Sequence, residues 1–284
     1  MAVLESLHPA VLIALVGIVG LLVGSFLNVV ILRLPALLMH EWRCQCRELL
    51  ELPAADEPAP ASPAKGRSRC PHCQATIAAH DNIPLLSWLL LRGRCRHCSG
   101  SISFRYPAVE LTSALLSIAV AALLGPTPEM LAGLGLTWAL IAASGIDIDH
   151  QLLPDQITLP LLWAGLVLNL FGLFTDLQSA VIGALAGYLV LWSVYHLFRL
   201  VTGKEGMGYG DFKLLAAIGA WFGWQVLPGV ILLASFVGAL VGIGLIVLRR
   251  MGREVPMPFG PYLAAAGWLM LIGGDAIVRD WLLL

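Results

Sequence analysis

Residues 10–32 read AVLIALVGIVGLLVGSFLNVVIL, an apolar run interrupted only by glycines, Ser25 and Asn28. A helix rises about 1.5 Å per residue and a bilayer's hydrocarbon core is about 30 Å thick, so the run is long enough to cross a membrane. No basic segment precedes it and no small-residue cleavage site follows, which predicts a retained helix and not a secretory signal. Outward from this run the same character persists. Of 284 residues, 58% are hydrophobic and 12% charged, against about 45–50% and 25% in a soluble domain. A soluble enzyme is excluded. Further apolar runs lie at about 108–124, 131–146, 157–174, 179–198, 212–224, 229–248 and 261–273, making eight, two of them short. The run at 212–224 is a candidate for a buried or partly re-entrant segment.

The charges divide the chain. Residues 33–107 hold 16 of its 35 Lys, Arg, Asp and Glu, ten of them basic, and the other 209 residues share 19. The fold class expected is therefore all-α and polytopic: about eight transmembrane helices with a small cytoplasmic loop domain between the first two. The divisions fall at 1–32 (first span), 33–107 (loop) and 108–284 (a seven-helix membrane domain). Cytoplasmic loops carry the Lys and Arg excess. With the large loop cytoplasmic, alternation of eight spans puts Arg199, Lys204, Lys213, Arg249, Arg250 and Arg253 on the same side, leaves only Arg279 opposite, and sets both termini outside. The net charge of −1 gives no reason to expect a nucleic-acid partner. Residues 53–65, rich in Ala and Pro, read as a flexible tether. No internal repeat is evident.

All six cysteines lie between Cys44 and Cys98. Cys70-Pro71-His72-Cys73 and Cys95-Arg96-His97-Cys98 are two Cys-x-x-Cys knuckles with 21 residues between them. Each knuckle lets one tight turn present two thiolates to a single ion, so the pattern predicts a structural four-cysteine zinc site at Cys70, Cys73, Cys95 and Cys98. Two disulfides are the alternative, disfavoured for a loop in a reducing compartment. His72 and His97 read as solvated, and Cys44 and Cys46 as free thiols.

The remaining carboxylates fall at the ends of apolar runs. Asp147 and Asp149 close the third span, Asp155 opens the fourth, and Gly208-Tyr209-Gly210-Asp211 opens the sixth. An ionisable group at such a position is a functional candidate, although a lone acid there can merely cap a helix, as Asp155 after Pro154 would. Two acids on separate spans point to a site. Carboxylates brought close share one proton, leaving one as base and the other as acid, which suits activation of water against a peptide carbonyl. Asp147 and Asp149, two residues apart, point to different sides of a helix. Asp147 is nearer the apolar run, making Asp147 and Asp211 the expected pair, with Asp149 the fallback.

At these residues the sequence resembles the type IV prepilin leader peptidases, bifunctional GxGD-type membrane aspartyl proteases that are also N-methyltransferases. The likeness runs through residues 24–30 with Arg33-Leu34-Pro35, both cysteine pairs, Ile146-Asp147 to Leu153-Pro154-Asp155, residues 206–213, and Pro258-Phe259-Gly260-Pro261-Tyr262. It implies that Asp147 and Asp211 are the catalytic pair and that the four cysteines bind zinc. It also implies cleavage of prepilins and type II secretion pseudopilins after a glycine at the cytoplasmic face of a bacterial inner membrane. Methylation of the new N-terminal residue, usually Phe, with S-adenosylmethionine as donor would follow. No glycine-rich loop after a strand is present to cradle that donor, so this half rests on the likeness alone. It is expected to involve the cysteine loop and first span, with Gly93 a candidate contact that can equally be a turn residue.

Other residues suit simpler roles. Asn28 is expected to bond a neighbouring helix, Glu110 to pair with Arg105 or hold the loop, and Lys213 to orient Asp211 or snorkel. Two competing readings are a transporter, whose acids would lie at the midplane, and a non-catalytic zinc-bearing scaffold of a secretion system.

Overall fold

The structure, a computed structural model, describes residues 8–53, 59–64, 66–248 and 257–282, with main chain alone from 275. Among the described residues the regular structure is helical, with no strand. The helices are α1 (Pro9–Leu49), α2 (Leu86–Leu90), α3 (Arg105–Leu124), α4 (Pro128–His150), α5 (Asp155–Asn169), α6 (Leu177–Thr202), α7 (Tyr209–Phe222), α8 (Leu227–Val247) and α9 (Gly260–Leu282). The all-α expectation holds, and a helix stands at each of the eight expected positions, but among the described residues they do not amount to eight spans. Five stretches among the described residues are long and apolar enough to cross a membrane: Pro9–Leu49, Arg105–Leu124, Pro128–His150, Leu177–Thr202 and Trp224–Val247. At 15 and 14 residues, α5 and α7 fall short of the roughly 20 needed for a simple crossing. The first helix also runs past the end of its apolar run at Leu32, carrying Pro35 inside it and continuing to Leu49. Its polar half is rich in Leu, Arg and Glu, which favour helix, so polarity alone does not stop it.

Two compact units divide the chain, residues 2–122 and 123–284. In the first, small residues let α1 and α3 meet closely. A Cβ on Gly24 would lie 2.7 Å from the Glu110 Cα, and one on Gly20 2.9 Å from the Ala114 Cα. The Ser113 hydroxyl donates to the Gly20 carbonyl at 2.7 Å. Asn28 bonds across to α3 as expected, its amide donating to the Tyr106 carbonyl at 3.0 Å.

In the second unit α7 is the central helix, packed against α5, α6 and α9. Phe212, Leu214, Leu215, Ala216, Ala217, Ile218, Ala220 and Trp221 are all buried. A helix apolar on every side has no face to give water and is buried all round, which is why the run at 212–224 reads as a span yet forms a short core helix. On one side its backbone touches that of α6: a Cβ on Gly183 or on Gly219 would strike the carbonyl of the other glycine. Gly219→Val is therefore expected to force α6 and α7 apart and destabilise the fold by about 3 kcal/mol, measurable as a lowered midpoint in equilibrium unfolding from detergent. At the far end of α7, Asn169 donates to the Ala220 and Trp221 carbonyls at 2.8 and 2.9 Å and accepts from the Phe174 and Thr175 N–H groups, satisfying the helix end.

Candidate active site and metal-binding loop

The acids expected from the sequence sit at helix ends within the second unit. Asp147 is in the last turn of α4 and 5% exposed. Its Oδ2 accepts the Gly260 N–H at 2.9 Å, so it caps the first residue of α9, 113 positions away in sequence. Asp211 is in the first turn of α7 and 6% exposed. Its Oδ2 accepts the Gly208 N–H at 3.2 Å while its own N–H donates to the Gly208 carbonyl at 3.3 Å. Free backbone N–H groups and the positive end of the helix dipole both favour a carboxylate at a helix start. Asp211 Oδ1 is buried with no protein partner among the described residues.

Leu153 joins the two positions. A Cβ on Gly210 would lie 2.6 Å from the Leu153 Cβ, and one on Gly260 3.1 Å from both Leu153 methyls. Asp149 and Asp155 are exposed, and Asp155 receives the Lys213 ammonium at 2.6 Å. Lys213 thus ties the start of α7 to the start of α5. The sequence reading gave Gly260 no role. The available signal was the Pro258-Phe259-Gly260-Pro261 run, which places a proline just inside a helix start.

The cysteine loop belongs to the first unit. The four sulfurs of Cys70, Cys73, Cys95 and Cys98 lie within 4.8 Å of one another, and Cys70 Sγ is 3.8 Å from Cys98 Sγ. Tetrahedral zinc with Zn–S bonds of about 2.3 Å sets sulfurs about 3.8 Å apart, whereas a disulfide needs about 2.05 Å. The cluster fits a metal ion and not a bonded pair. Backbone N–H groups of Cys73 and His72 aimed at Cys70 pull its thiol down to about 6, and those of Cys98 and His97 lower Cys95, which favours two of the thiolates a metal requires; against the Gly100 N–H, burial and the neighbouring cysteines push Cys98 up to about 11. Cys44 and Cys46 are free and exposed on α1.

The two knuckles are also a structural repeat, displaced by 25 positions. The Cys70 and Cys95 N–H groups bond the Ala75 and Gly100 carbonyls, Gln74 and Ser99 both take φ of 56°, and Ile77 and Ile102 bond back to Ser68 and Gly93. Isolated bridges Arg69 to Thr76 and Arg94 to Ser101 close them. Arg69/Arg94, Cys70/Cys95, His72/His97, Cys73/Cys98 and Ile77/Ile102 recur at this displacement, so the repeat is also present in the residue identities, which corrects the expectation of no internal repeat.

Arg96, inside the second knuckle, grips Asp81 with both arms at 2.6 and 2.8 Å and holds its carboxyl below the usual range. Glu110 holds the loop, its Oε2 accepting the Leu85 N–H at 2.8 Å. Gly93 sits at φ +67°, donates to the Trp88 carbonyl at 2.8 Å, and would bring a Cβ within 3.0 Å of the Trp88 ring.

A helical membrane protein with two buried acids at helix starts and ends, and a separate four-thiol loop, has the outline of a membrane-embedded acid enzyme with a metal-shaped appendage. Comparison with known families narrows this. Residues 18–124 match the Bacterial Peptidase A24 N-terminal domain and residues 134–243 the Type IV leader peptidase family, a division that follows the two compact units. Curated relatives named prepilin leader peptidase/N-methyltransferase include one from Aeromonas hydrophila, 59% identical with 98% of this chain and 97% of the relative covered. Others are from Stutzerimonas stutzeri (56%; 97% and 95%) and Pseudomonas aeruginosa (53%; 97% and 95%). The chain belongs to the type IV leader peptidase family. No solved structure gave a significant match.

Proposed function

We propose that this protein cleaves the leader peptide from type IV prepilins and type II secretion pseudopilins after a glycine, with Asp147 and Asp211 as the catalytic pair, and then N-methylates the new N-terminal residue, usually Phe. The observation that carries the peptidase half is the burial of two carboxylates, each held by a backbone N–H, at helix ends whose glycines Gly210 and Gly260 both pack on Leu153. One carboxylate takes a proton from water as the oxygen attacks the scissile carbonyl, and the other gives its proton to the carbonyl oxygen. Proton transfer to the amide nitrogen then releases the leader, and the pair titrates as a unit. The distribution of Lys and Arg supports a bacterial inner-membrane location with the cysteine loop and the acids on the cytoplasmic side and both termini periplasmic. A prepilin, a short basic leader followed by an apolar helix, presents its scissile bond at that face.

Zinc held by Cys70, Cys73, Cys95 and Cys98 closes the loop and does no chemistry on the substrate. S-adenosylmethionine, when bound, supplies a methyl group activated by its sulfonium. Within the divisions 1–32, 33–107 and 108–284, the transfer half belongs to the loop and first span, and Gly93 contributes through the Trp88 ring that it backs. The defining test incubates purified protein with a prepilin and S-adenosylmethionine and reads the products by mass spectrometry. Wild type is expected to give cleaved, N-methylated pilin, and Asp147→Asn and Asp211→Asn uncut prepilin. Undiminished processing by both variants overturns the assignment. Stripping the metal with a chelator is expected to make residues 66–102 sensitive to limited proteolysis, with added Zn²⁺ restoring resistance.

A further inference from the structure

The first unit contains a cavity of about 440 Å³ lined by residues of α1, the cysteine loop and α3, within the range of about 300–1,000 Å³ typical of small-molecule sites. The part of its wall formed by Glu110, Trp88 and Tyr106 has the chemistry of a receptor for an organic cation. Glu110, a carboxylate 7% exposed, lines it. Leu85 N–H and the Ser25 side chain bond this carboxylate, which leaves acceptor capacity out of about four lone-pair sites. A buried anion is costly without a countercharge. Trp88 and Tyr106 add aromatic surface, and cations are attracted to such rings. The Trp88 ring is fixed, its Nε1–H donating to the Ile102 carbonyl at 3.1 Å and its edge set against Phe104 at 5.8 Å.

Cys70 and Cys95 form part of the wall. Four thiolates around a divalent ion carry a net charge of about −2, a second source of negative potential. Arg33, Arg69 and Arg96 also line the cavity; the guanidinium groups of Arg33 and Arg96 are turned to the Ser62, Gly66 and Arg67 carbonyls and to Asp81, and Arg69 leaves a positive charge on the wall, opposite in sign to Glu110.

We propose that this cavity is the seat of the methyl donor, an adenosyl sulfonium, with Glu110 answering the sulfonium charge and Trp88 and Tyr106 enclosing the ligand. The inference rests on the methyltransferase reading and gives it a location that needs no glycine-rich loop. Gly93 is then a positioning residue, because a side chain there would displace Trp88.

The test measures binding alone, by titration calorimetry on the full-length protein in detergent. The probes are S-adenosylmethionine and S-adenosylhomocysteine, which lacks the sulfonium charge. Glu110→Gln keeps an acceptor oxygen for Leu85 and is expected to weaken S-adenosylmethionine about tenfold or more while changing S-adenosylhomocysteine less than about threefold. Val29→Trp, which fills the cavity from α1, is expected to abolish binding of both, with the chain's bound zinc retained as the sign of a folded loop. Equal weakening of both ligands by Glu110→Gln overturns the role of its charge. Wild-type affinity in both variants overturns the location while leaving the transferase reading intact. Failure of wild type to bind either ligand overturns both.

Discussion

Asp211→Asn is expected to lower single-turnover prepilin cleavage by about 10³-fold or more, because proton transfer by a positioned acid or base contributes about 10²–10⁴ and the amide can do neither. The substitution is a clean one. Asn has the same shape, and its oxygen can still accept the Gly208 N–H that now meets Oδ2 at 3.2 Å, so the start of α7 keeps its cap. Oδ1 has no protein partner to lose, and removing a buried charge eases desolvation. The variant is therefore expected to melt at or above the wild-type temperature while losing cleavage. Asp147→Asn follows the same logic through Gly260. A rate for either variant within tenfold of wild type rules out the residue as an acid or base.

Gly260→Ala has the next largest expected effect, a fall in kcat of about 10²-fold, from a residue that bears no reactive group. The Gly260 N–H holds Asp147 Oδ2 at 2.9 Å, and a Cβ at 260 would lie 2.7 Å from that same oxygen and 3.1 Å from both Leu153 methyls. Leu153 has little room to retreat, since its Cβ already lies against Gly210. The carboxylate must swing aside, and a displacement near 1 Å can cost about 10²-fold in rate. The check is kcat and KM for prepilin cleavage beside a thermal melt. An unchanged kcat means that Asp147 tolerates the shift and that Gly260 serves only the start of α9.

Much of this was legible in the sequence. Apolar runs give helix positions because each helix buries its own backbone bonds and needs only an apolar exterior, so residues 10–32 and their counterparts announce themselves locally. The cysteine cluster was equally plain, since the Cys-x-x-Cys spacing is itself the geometry of a knuckle. The preference for Asp147 over Asp149 agrees with the burial of the first and exposure of the second. What sequence does not carry is the identity of a neighbour. Gly260 meets Asp147 across 113 positions, and the Gly183–Gly219 contact that seats α7 depends on which helices adjoin. The run at 212–224 is apolar whether lipid or protein surrounds it, so its role as a core helix appears only with α5, α6 and α9 around it. The polar half of α1 looked like loop because composition reports solvent exposure more faithfully than backbone conformation.

The way the two acids are held bears on how fast such a site can work. Each carboxylate is aimed by a main-chain N–H at a helix start, Asp147 by Gly260 and Asp211 by Gly208. Main chain at a helix end cannot rotate away as a side-chain donor can. In the reaction proposed for this pair, charge would move among dipoles already in place, so the reorganisation that water would require would have been completed in folding, which lowers an activation barrier.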